Sequence, residues 1–154
     1  MNRRLFLISS ATVLMSFAFS HTHAQNAGKQ VISSPNAPEA IGPYSQAIKS
    51  GKTVYLSGQI AIDPKTKQLT ANASIEDQTR LVLENLKAVL ASDGLTMDSI
   101  VSATVFLTDL TDFAKMNEVY ATYFKNMPPA RATVEVAHLP RSAKVEISAI
   151  AVHP

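Results

Sequence analysis

The chain has 154 residues, of which 46% are hydrophobic, 17% are charged and none is cysteine. This length fits one domain with a short extension, and the apolar fraction is large enough to build a core. The absence of cysteine excludes disulfides, thiolate nucleophiles and cysteine-ligated metals.

Residues 1–24 have the pattern of an export signal. Two arginines precede an apolar run over residues 5–19, and residues 22–24 (THA) form a cleavage site of small-residue type. A transmembrane anchor is the alternative, but the run is shorter than the roughly 20 residues that span a bilayer. The paired arginines also resemble a twin-arginine signal, so two export routes stay open. We expect a periplasmic or secreted protein with one domain over residues 25–154.

Removal of the signal changes the charge of the protein. Loss of Arg3 and Arg4 leaves 12 lysines and arginines against 12 aspartates and glutamates. This neutral chain has no basic surplus for nucleic-acid binding, and we expect no membrane binding after cleavage. Only His138 and His153 then remain, which are too few for a histidine-based metal site.

Alternating apolar residues predict three strands at the start of the domain, over residues 30–33, 44–50 and 53–57. Gly51 and Lys52 are typical of a hairpin connection between the second and third strands. The prolines of residues 34–43 predict a loop that leads to Tyr44. Gly58 allows close approach of a ligand or a neighbouring chain, and a turn or bulge is the alternative explanation.

A helix is predicted from Ser74, which caps it together with Asp77, to Gly94. Its apolar stripe consists of Ile75, Thr79, Val82, Leu83, Leu86, Val89 and Leu90. A strand follows over residues 100–107, and then a second helix over about residues 112–124. The second helix is capped by Thr111 or Asp112, and it turns inward Phe113, Met116, Val119, Tyr120 and Phe124. Asn117 of this helix either makes a specific hydrogen bond or is simply exposed.

Two alternating runs, residues 128–136 and 144–152, predict the last strands, joined through residues 139–142. The order indicates an α+β fold with a six-stranded sheet and two helices on one face. Two helices cover only one face of such a sheet. The other face carries Ile150, Val152 and either Val134 or Thr133, and these must be buried by association. A homo-oligomer is therefore expected.

Arg131 and Glu146 on these two strands are the candidate functional pair. The guanidinium of an arginine binds a carboxylate in bidentate fashion, and a partly buried glutamate can move a proton or activate water. The alternative is an interface ion pair between the two side chains, because structural pairs outnumber catalytic ones.

Several separated stretches together resemble the Rid (YjgF) reactive-intermediate deaminases. They are residues 40–47 (AIGPYSQA), 56–60 (LSGQI), 104–110 (TVFLTDL), 129–131 (PAR) and 145–151 (VEISAIA). The resemblance implies a chorismate-mutase-like fold of mostly antiparallel strands and a homotrimer whose sheets form an internal barrel. It implies hydrolysis of 2-imino acids and their enamines to 2-oxo acids and ammonia. Neither a metal nor an organic cofactor is implied.

The resemblance also implies roles for individual residues. Arg131 would bind the substrate carboxylate, Glu146 would activate the attacking water, and Tyr44 would close the cleft from its loop. This makes a catalytic site a better interpretation of Arg131 and Glu146 than an ion pair.

Four further residues are carried over as substrate-binding or supporting. Ser57 and Gly58 would line the pocket, and Asn117 would support it. Thr133 stands where many family deaminases have cysteine. Threonine serves equally well if this position acts through its backbone N–H and C=O, whereas activity or substrate range would differ if the thiol matters.

Two other functions compete with deamination. The first is non-catalytic binding of small carboxylates in the same cleft, motivated by export away from the cytoplasm. The second is ribonuclease or chaperone-like activity. The neutral charge of the mature chain argues against the ribonuclease activity.

Overall fold

The computed structural model describes residues 28–154, so the predicted signal over residues 1–24 lies outside the described residues. The export route and the domain start at residue 25 therefore stay predictions. No helix within residues 28–154 has the length and apolar character needed to cross a membrane.

Six strands and two helices follow in the predicted order. They are β1 (Gln30–Ile32), β2 (Ala47–Ser50), β3 (Thr53–Gln59), α1 (Ile75–Ala91), β4 (Ile100–Leu107), α2 (Phe113–Tyr123), β5 (Ala130–Glu135) and β6 (Val145–Val152). One sheet holds all six strands in the order β1-β2-β3-β6-β4-β5. Every pairing is antiparallel except that of β4 with β5. The predicted α+β fold with a mostly antiparallel sheet is confirmed.

Helix α1 begins and ends as predicted. The Ser74 hydroxyl accepts the backbone N–H of Asp77 at 3.1 Å and donates to the Asp77 carboxylate at 2.9 Å. At the other end, Gly94 has a φ of +71°, and the N–H of Leu95 reaches the carbonyl of Leu90 at 3.0 Å. The whole predicted stripe is buried, so α1 forms the middle of the core.

Helix α2 departs from the prediction at its start. Phe113 was expected to face inward but is 38% exposed, because it lies beside Arg131 of the edge strand β5 rather than in the core. Neither Thr111 nor Asp112 caps the helix with its side chain. Asp109 instead accepts the N–H of Thr111 at 2.8 Å and caps the short 3-10 turn before α2. The remaining predicted inward residues are buried: Met116, Val119, Tyr120 and Phe124.

The sheet has a covered face and an open face. The covered face, called here the helix face, buries four alternating residues of β6: Val145, Ile147, Ala149 and Ala151. On the open face, Tyr55, Val134 and Val152 are 51%, 42% and 36% exposed. Register decides between the two alternatives for β5, because Thr133 pairs with the buried Val105 while Val134 lies on the open face. The homotrimer that would cover this face stays a prediction.

Candidate functional site

A cavity of about 320 Å³ lies where the loop before β2 meets β3 and β6. It is lined by Ile41, Tyr44, Ser57, Gly58, Ile60, Pro140 and Glu146. Four predicted site residues therefore meet in one place: Tyr44, Ser57, Gly58 and Glu146. We refer to this cavity as the Glu146 pocket.

Buried Gln46 fixes the loop that carries Tyr44. Its side-chain oxygen accepts the N–H of Ser34 at 2.5 Å, and its amide nitrogen donates to the carbonyl of Pro38 at 2.6 Å. These bonds hold residues 44–46 in the loop, so β2 starts later than predicted. The Tyr44 hydroxyl accepts the N–H of Ile41 at 3.2 Å. Tyr44 is thus held over the pocket while 46% of it stays exposed.

Ser57 and Gly58 lie where the pairing of β3 with β6 shifts register between Leu56 and Gln59. The Ser57 hydroxyl donates to the carbonyl of Ser45 at 2.7 Å, which ties this bulge to the Tyr44 loop. A Cβ atom on Gly58 would lie 2.8 Å from Cδ of Glu146, and closer still to its Oε1. The bulge explanation for Gly58 is therefore confirmed, and the bulge brings its backbone against the Glu146 carboxylate of the same chain. Close approach of a ligand or a neighbouring chain at Gly58 stays a prediction.

Glu146 is half-buried and has no hydrogen bond or ion pair with any side chain of residues 28–154. Burial raises the pKa of Glu146 above its usual value of 4.5. A carboxyl group whose pKa is raised by burial binds a proton more readily than an exposed one, which suits it to proton transfer. In chemical terms, the pocket presents one proton-transfer group within largely apolar walls.

Arg131 does not lie in the pocket of its own chain. It pairs with Ala103 of β4, whereas Glu146 pairs with Phe106 of the same strand. Side chains alternate between the two faces along a strand, and the partners Ala103 and Phe106 are an odd number of residues apart on β4. Arg131 and Glu146 therefore lie on opposite faces of the sheet. Strand spacings put their Cα atoms about 14 Å apart. The guanidinium lies instead on the helix face, over the Tyr120 ring at 4.4 Å.

Thr133 and Asn117 also lie outside the Glu146 pocket. Thr133 shares the helix face with Arg131, and its hydroxyl is buried without a hydrogen-bond partner. Asn117 is partly buried on α2, and its side chain forms no hydrogen bond within the described part of the chain. The structure therefore separates the predicted residues into a Glu146 group on β3, β6 and the loop, and an Arg131 group on β5 and α2.

Three apolar pocket residues and one anchor were missed by sequence reasoning. Ile41 and Ile60 occur inside the stretches that carried the resemblance, but apolar residues there were assigned to packing. Pro140 was assigned to the connection between β5 and β6, which only the folded chain places beside Glu146. One feature of the sequence could have identified Gln46 as an anchor of the loop. It is a polar residue directly before β2, whose first residue, Ala47, is buried.

No three histidine, cysteine, aspartate or glutamate side chains within residues 28–154 are grouped as a metal site would require. His153 has a single carboxylate neighbour, Asp93.

The chain matches the family described as endoribonuclease L-PSP over residues 34–153. It is 54% identical to a RutC family protein of Pyrococcus horikoshii over 123 residues, which covers 80% of this chain and 97% of the relative. It is 46% identical to the 2-iminobutanoate/2-iminopropanoate deaminase of Mus musculus, covering 80% of this chain and 91% of that one.

Solved structures agree with the sequence relatives. The crystal structure of Escherichia coli TdcF with bound serine has a TM-score of 0.78 and 45% identity, covering 81% of this chain and 99% of TdcF. A 1.2 Å crystal structure of the E. coli yjgF gene product has a TM-score of 0.77 and 44% identity, covering 81% and 99%. Fold, motifs and relatives agree, and the chain belongs to the endoribonuclease L-PSP family, that of the Rid (YjgF) proteins.

Proposed function

We propose that this protein hydrolyses 2-imino acids and their enamine tautomers to 2-oxo acids and ammonia. The observation that carries the proposal is Glu146, a partly buried carboxylate that faces a cavity, has no partner within residues 28–154 and has a raised pKa. Two comparisons support it, since a mouse relative is named as a deaminase of this kind and TdcF binds serine, a small carboxylate.

The chemistry needs one water and one group that moves protons. Glu146 accepts a proton from water as the water oxygen bonds to the imine carbon. The carboxyl group then passes that proton to the nitrogen, which gives a carbinolamine. Glu146 next accepts the proton of the new hydroxyl group and delivers it to the amine, so that the C–N bond breaks, the C=O bond forms and ammonia leaves. Imine and water are thus converted to 2-oxo acid and ammonia, and Glu146 returns to its starting state.

The substrate carboxylate needs a cation, which the Glu146 pocket of one chain does not provide. We propose that Arg131 of a second copy supplies it, in a homotrimer that also covers the apolar open face. Strand β5 is at the edge of the sheet, so its residues are accessible to a neighbouring chain. Thr133 lies on the same strand face and would accompany Arg131.

The remaining residues shape the pocket in this proposal. Tyr44 forms the lid, since its ring covers the cavity and its hydroxyl is held by the loop backbone. Ser57 keeps its oxygen available as an acceptor while its proton is donated to Ser45. Gly58 leaves room for the Glu146 carboxylate. Asn117 lies on α2, the helix whose Tyr120 contacts Arg131, and in this proposal Asn117 supports the site without binding the substrate.

The test combines two variants that are inactive by themselves, Arg131→Ala and Glu146→Gln. The assay generates 2-iminobutanoate in solution and measures the rate of 2-oxobutanoate formation. Each pure variant is expected to lose about 10²–10⁴-fold in kcat/KM, through KM in Arg131→Ala and through kcat in Glu146→Gln. Co-expressed with different affinity tags, they form mixed trimers in which one of three sites keeps both residues. Tandem-purified mixed trimers should therefore have about one third of wild-type activity.

The possible results separate the parts of the proposal. Native mass spectrometry of each preparation controls for assembly, with three chains expected. Inactive mixed trimers would show that Arg131 and Glu146 do not meet across two chains. A wild-type protein that binds 2-oxobutanoate but does not accelerate imine hydrolysis would replace the enzyme with a carboxylate-binding protein.

A further inference from the structure

The guanidinium of Arg131 is held by aromatic rings of α2. Its Cζ atom lies 4.4 Å from the centre of the Tyr120 ring and 5.9 Å from that of Phe113. Both distances fall within the range of cation–π attraction, and the Tyr120 contact is the closer one. No carboxylate of residues 28–154 pairs with Arg131. The rings are therefore what fixes the direction of this guanidinium.

Tyr120 contacts both the core and Arg131, so it could serve either to pack the core or to position Arg131. It is only 4% exposed and packs on Phe124 with ring centres 4.5 Å apart, as a core residue does. Its hydroxyl, however, is buried, and no group of residues 28–154 meets it with the geometry of a hydrogen bond. A phenylalanine at this position would avoid the cost of that unsatisfied hydroxyl. Burial raises the pKa of Tyr120, whereas the nearby Arg131 guanidinium lowers it through its charge and its approach to the hydroxyl. Core packing alone does not explain its close contact with an unpaired cation.

We propose that Tyr120 is a positioning residue for Arg131, whose guanidinium it holds over its ring so that the N–H groups are available to the substrate carboxylate. Arginine has many rotamers, and a side chain that is already ordered loses less freedom when it binds. This inference rests on the proposed carboxylate-binding role of Arg131. Tyr120 itself need not touch the substrate.

The position of Arg131 should affect binding more than the chemical step. A carboxylate contact is made equally in the ground state and in the transition state, so its weakening raises KM and leaves kcat nearly unchanged. Tyr120→Leu keeps an apolar side chain but removes the ring. We expect its KM for 2-iminobutanoate to rise about 2- to 30-fold, the range that corresponds to a cation–π contact, with kcat within about twofold of wild type.

Three variants separate positioning from packing. Tyr120→Phe keeps the ring and loses the unpartnered hydroxyl, so its KM should remain that of the wild type. Phe124→Leu removes the neighbouring ring that does not contact Arg131, and it should lower the thermal unfolding midpoint without raising KM. Phe113→Leu removes the more distant ring, so its KM should rise less than that of Tyr120→Leu.

The opposite pattern would overturn the inference. If Phe124→Leu and Tyr120→Leu raise KM equally at equal loss of thermal stability, Tyr120 is only a packing residue. An unchanged KM in Tyr120→Leu leads to the same conclusion.

A binding measurement keeps this inference separate from the proposed reaction. Calorimetric titration with 2-oxobutanoate is expected to show the same 2- to 30-fold weakening in Tyr120→Leu and none in Tyr120→Phe. If wild type binds 2-oxobutanoate through Arg131 but shows no turnover, the enzyme proposal fails and the positioning role stands. If Arg131→Ala binds it as tightly as wild type does, the positioning role fails whatever the activity.

Discussion

The turn after α1 and the pocket beside β6 each contain a partly buried carboxylate, and their surroundings differ. Asp93 in the turn, with a side chain 14% exposed, lies 3.2 Å from Nζ of Lys49 and 2.6 Å from Nε2 of His153. Burial by itself would raise the pKa of Asp93, but hydrogen bonds from His153 and Lys49 outweigh it and lower the pKa. In the described part of the chain Glu146 has no such partner, and burial raises its pKa.

This difference separates a structural charge from a candidate functional one. Asp93 connects β2, the end of α1 and the residue after β6, so its charge is neutralised by groups that the fold itself brings together. The surroundings of Glu146 destabilise its charged form, and this costs the folded protein stability at a position where a cavity opens. Changes at the Glu146 pocket should therefore affect activity more than stability, and changes at Asp93 should do the reverse.

Among substitutions that leave Arg131 and Glu146 in place, the largest expected effect is that of Gly58→Ala. An added methyl group would lie 2.8 Å from Cδ of Glu146, so the carboxylate must move away from its position. A displacement of about 1 Å at a catalytic group can lower the rate about 100-fold. We expect a decrease of that size in kcat/KM for 2-iminobutanoate, measured as 2-oxobutanoate formation.

Gly42→Ala is the matched control for this substitution. It adds the same methyl group to the Tyr44 loop, where the nearest atoms belong to the Tyr44 ring at 3.5 Å, an ordinary contact. Its kcat/KM should stay within about threefold of wild type. Full activity in Gly58→Ala, at an unchanged unfolding midpoint, would mean that the position of the Glu146 carboxylate does not matter to the reaction.

Asp93→Asn should lower the free energy of unfolding by about 1 kcal/mol at pH 7, because the contacts with Lys49 and His153 lose the carboxylate charge. The folded protein holds the Asp93 proton less tightly than the unfolded chain does. Stability from this group is therefore present above the unfolded value of 3.8 and is lost as the pH falls below it. Urea unfolding at pH 7 and pH 3 should show the difference between variant and wild type shrinking at the lower pH.

An exposed ion pair provides the comparison for Asp93. Glu39 pairs with Lys67 at 3.2 Å, but both side chains are more than two thirds exposed. Glu39→Gln should change the free energy of unfolding by less than about 0.5 kcal/mol. Equal effects of Asp93→Asn and Glu39→Gln on the free energy of unfolding would show that the Asp93 contacts do not stabilise the fold. The rate of imine hydrolysis should be the same in Asp93→Asn as in wild type.

The sequence was sufficient to predict the order of elements and the core because these depend on local patterns. The stripe of α1, its Ser74 cap and the alternation of β6 each follow from residues near each other in the chain. The start of α2 was less predictable. Phe113 is apolar at a helical position, but its burial depends on what the distant strand β5 places beside it, and that is the charged side chain of Arg131.

The candidate site was predicted as a set of residues and not as an arrangement. Tyr44, Ser57, Gly58 and Glu146 do meet, although nothing in the sequence shows that a bulge in β3 brings them together. Placing Arg131 requires the parallel pairing of β4 with β5 and its register, which fix the face on which the side chain lies. No short stretch of sequence specifies the register between distant strands. A site shared between two chains, as proposed above, is still harder to predict from sequence.

The smallest expected effect concerns stability at the Glu146 pocket, and it addresses the ion-pair alternative directly. Because burial raises the folded-state pKa of Glu146 above 4.5, the folded protein holds this proton more tightly than the unfolded chain does. Stability therefore falls as the pH rises through this range. Glu146→Gln removes the titration, so its unfolding midpoint should exceed that of wild type at pH 7 and match it near pH 4. Midpoints measured between pH 4 and pH 8 on the assembled protein test this. If Glu146 instead forms a structural ion pair with Arg131 of a neighbouring chain, Glu146→Gln should be less stable than wild type at pH 7.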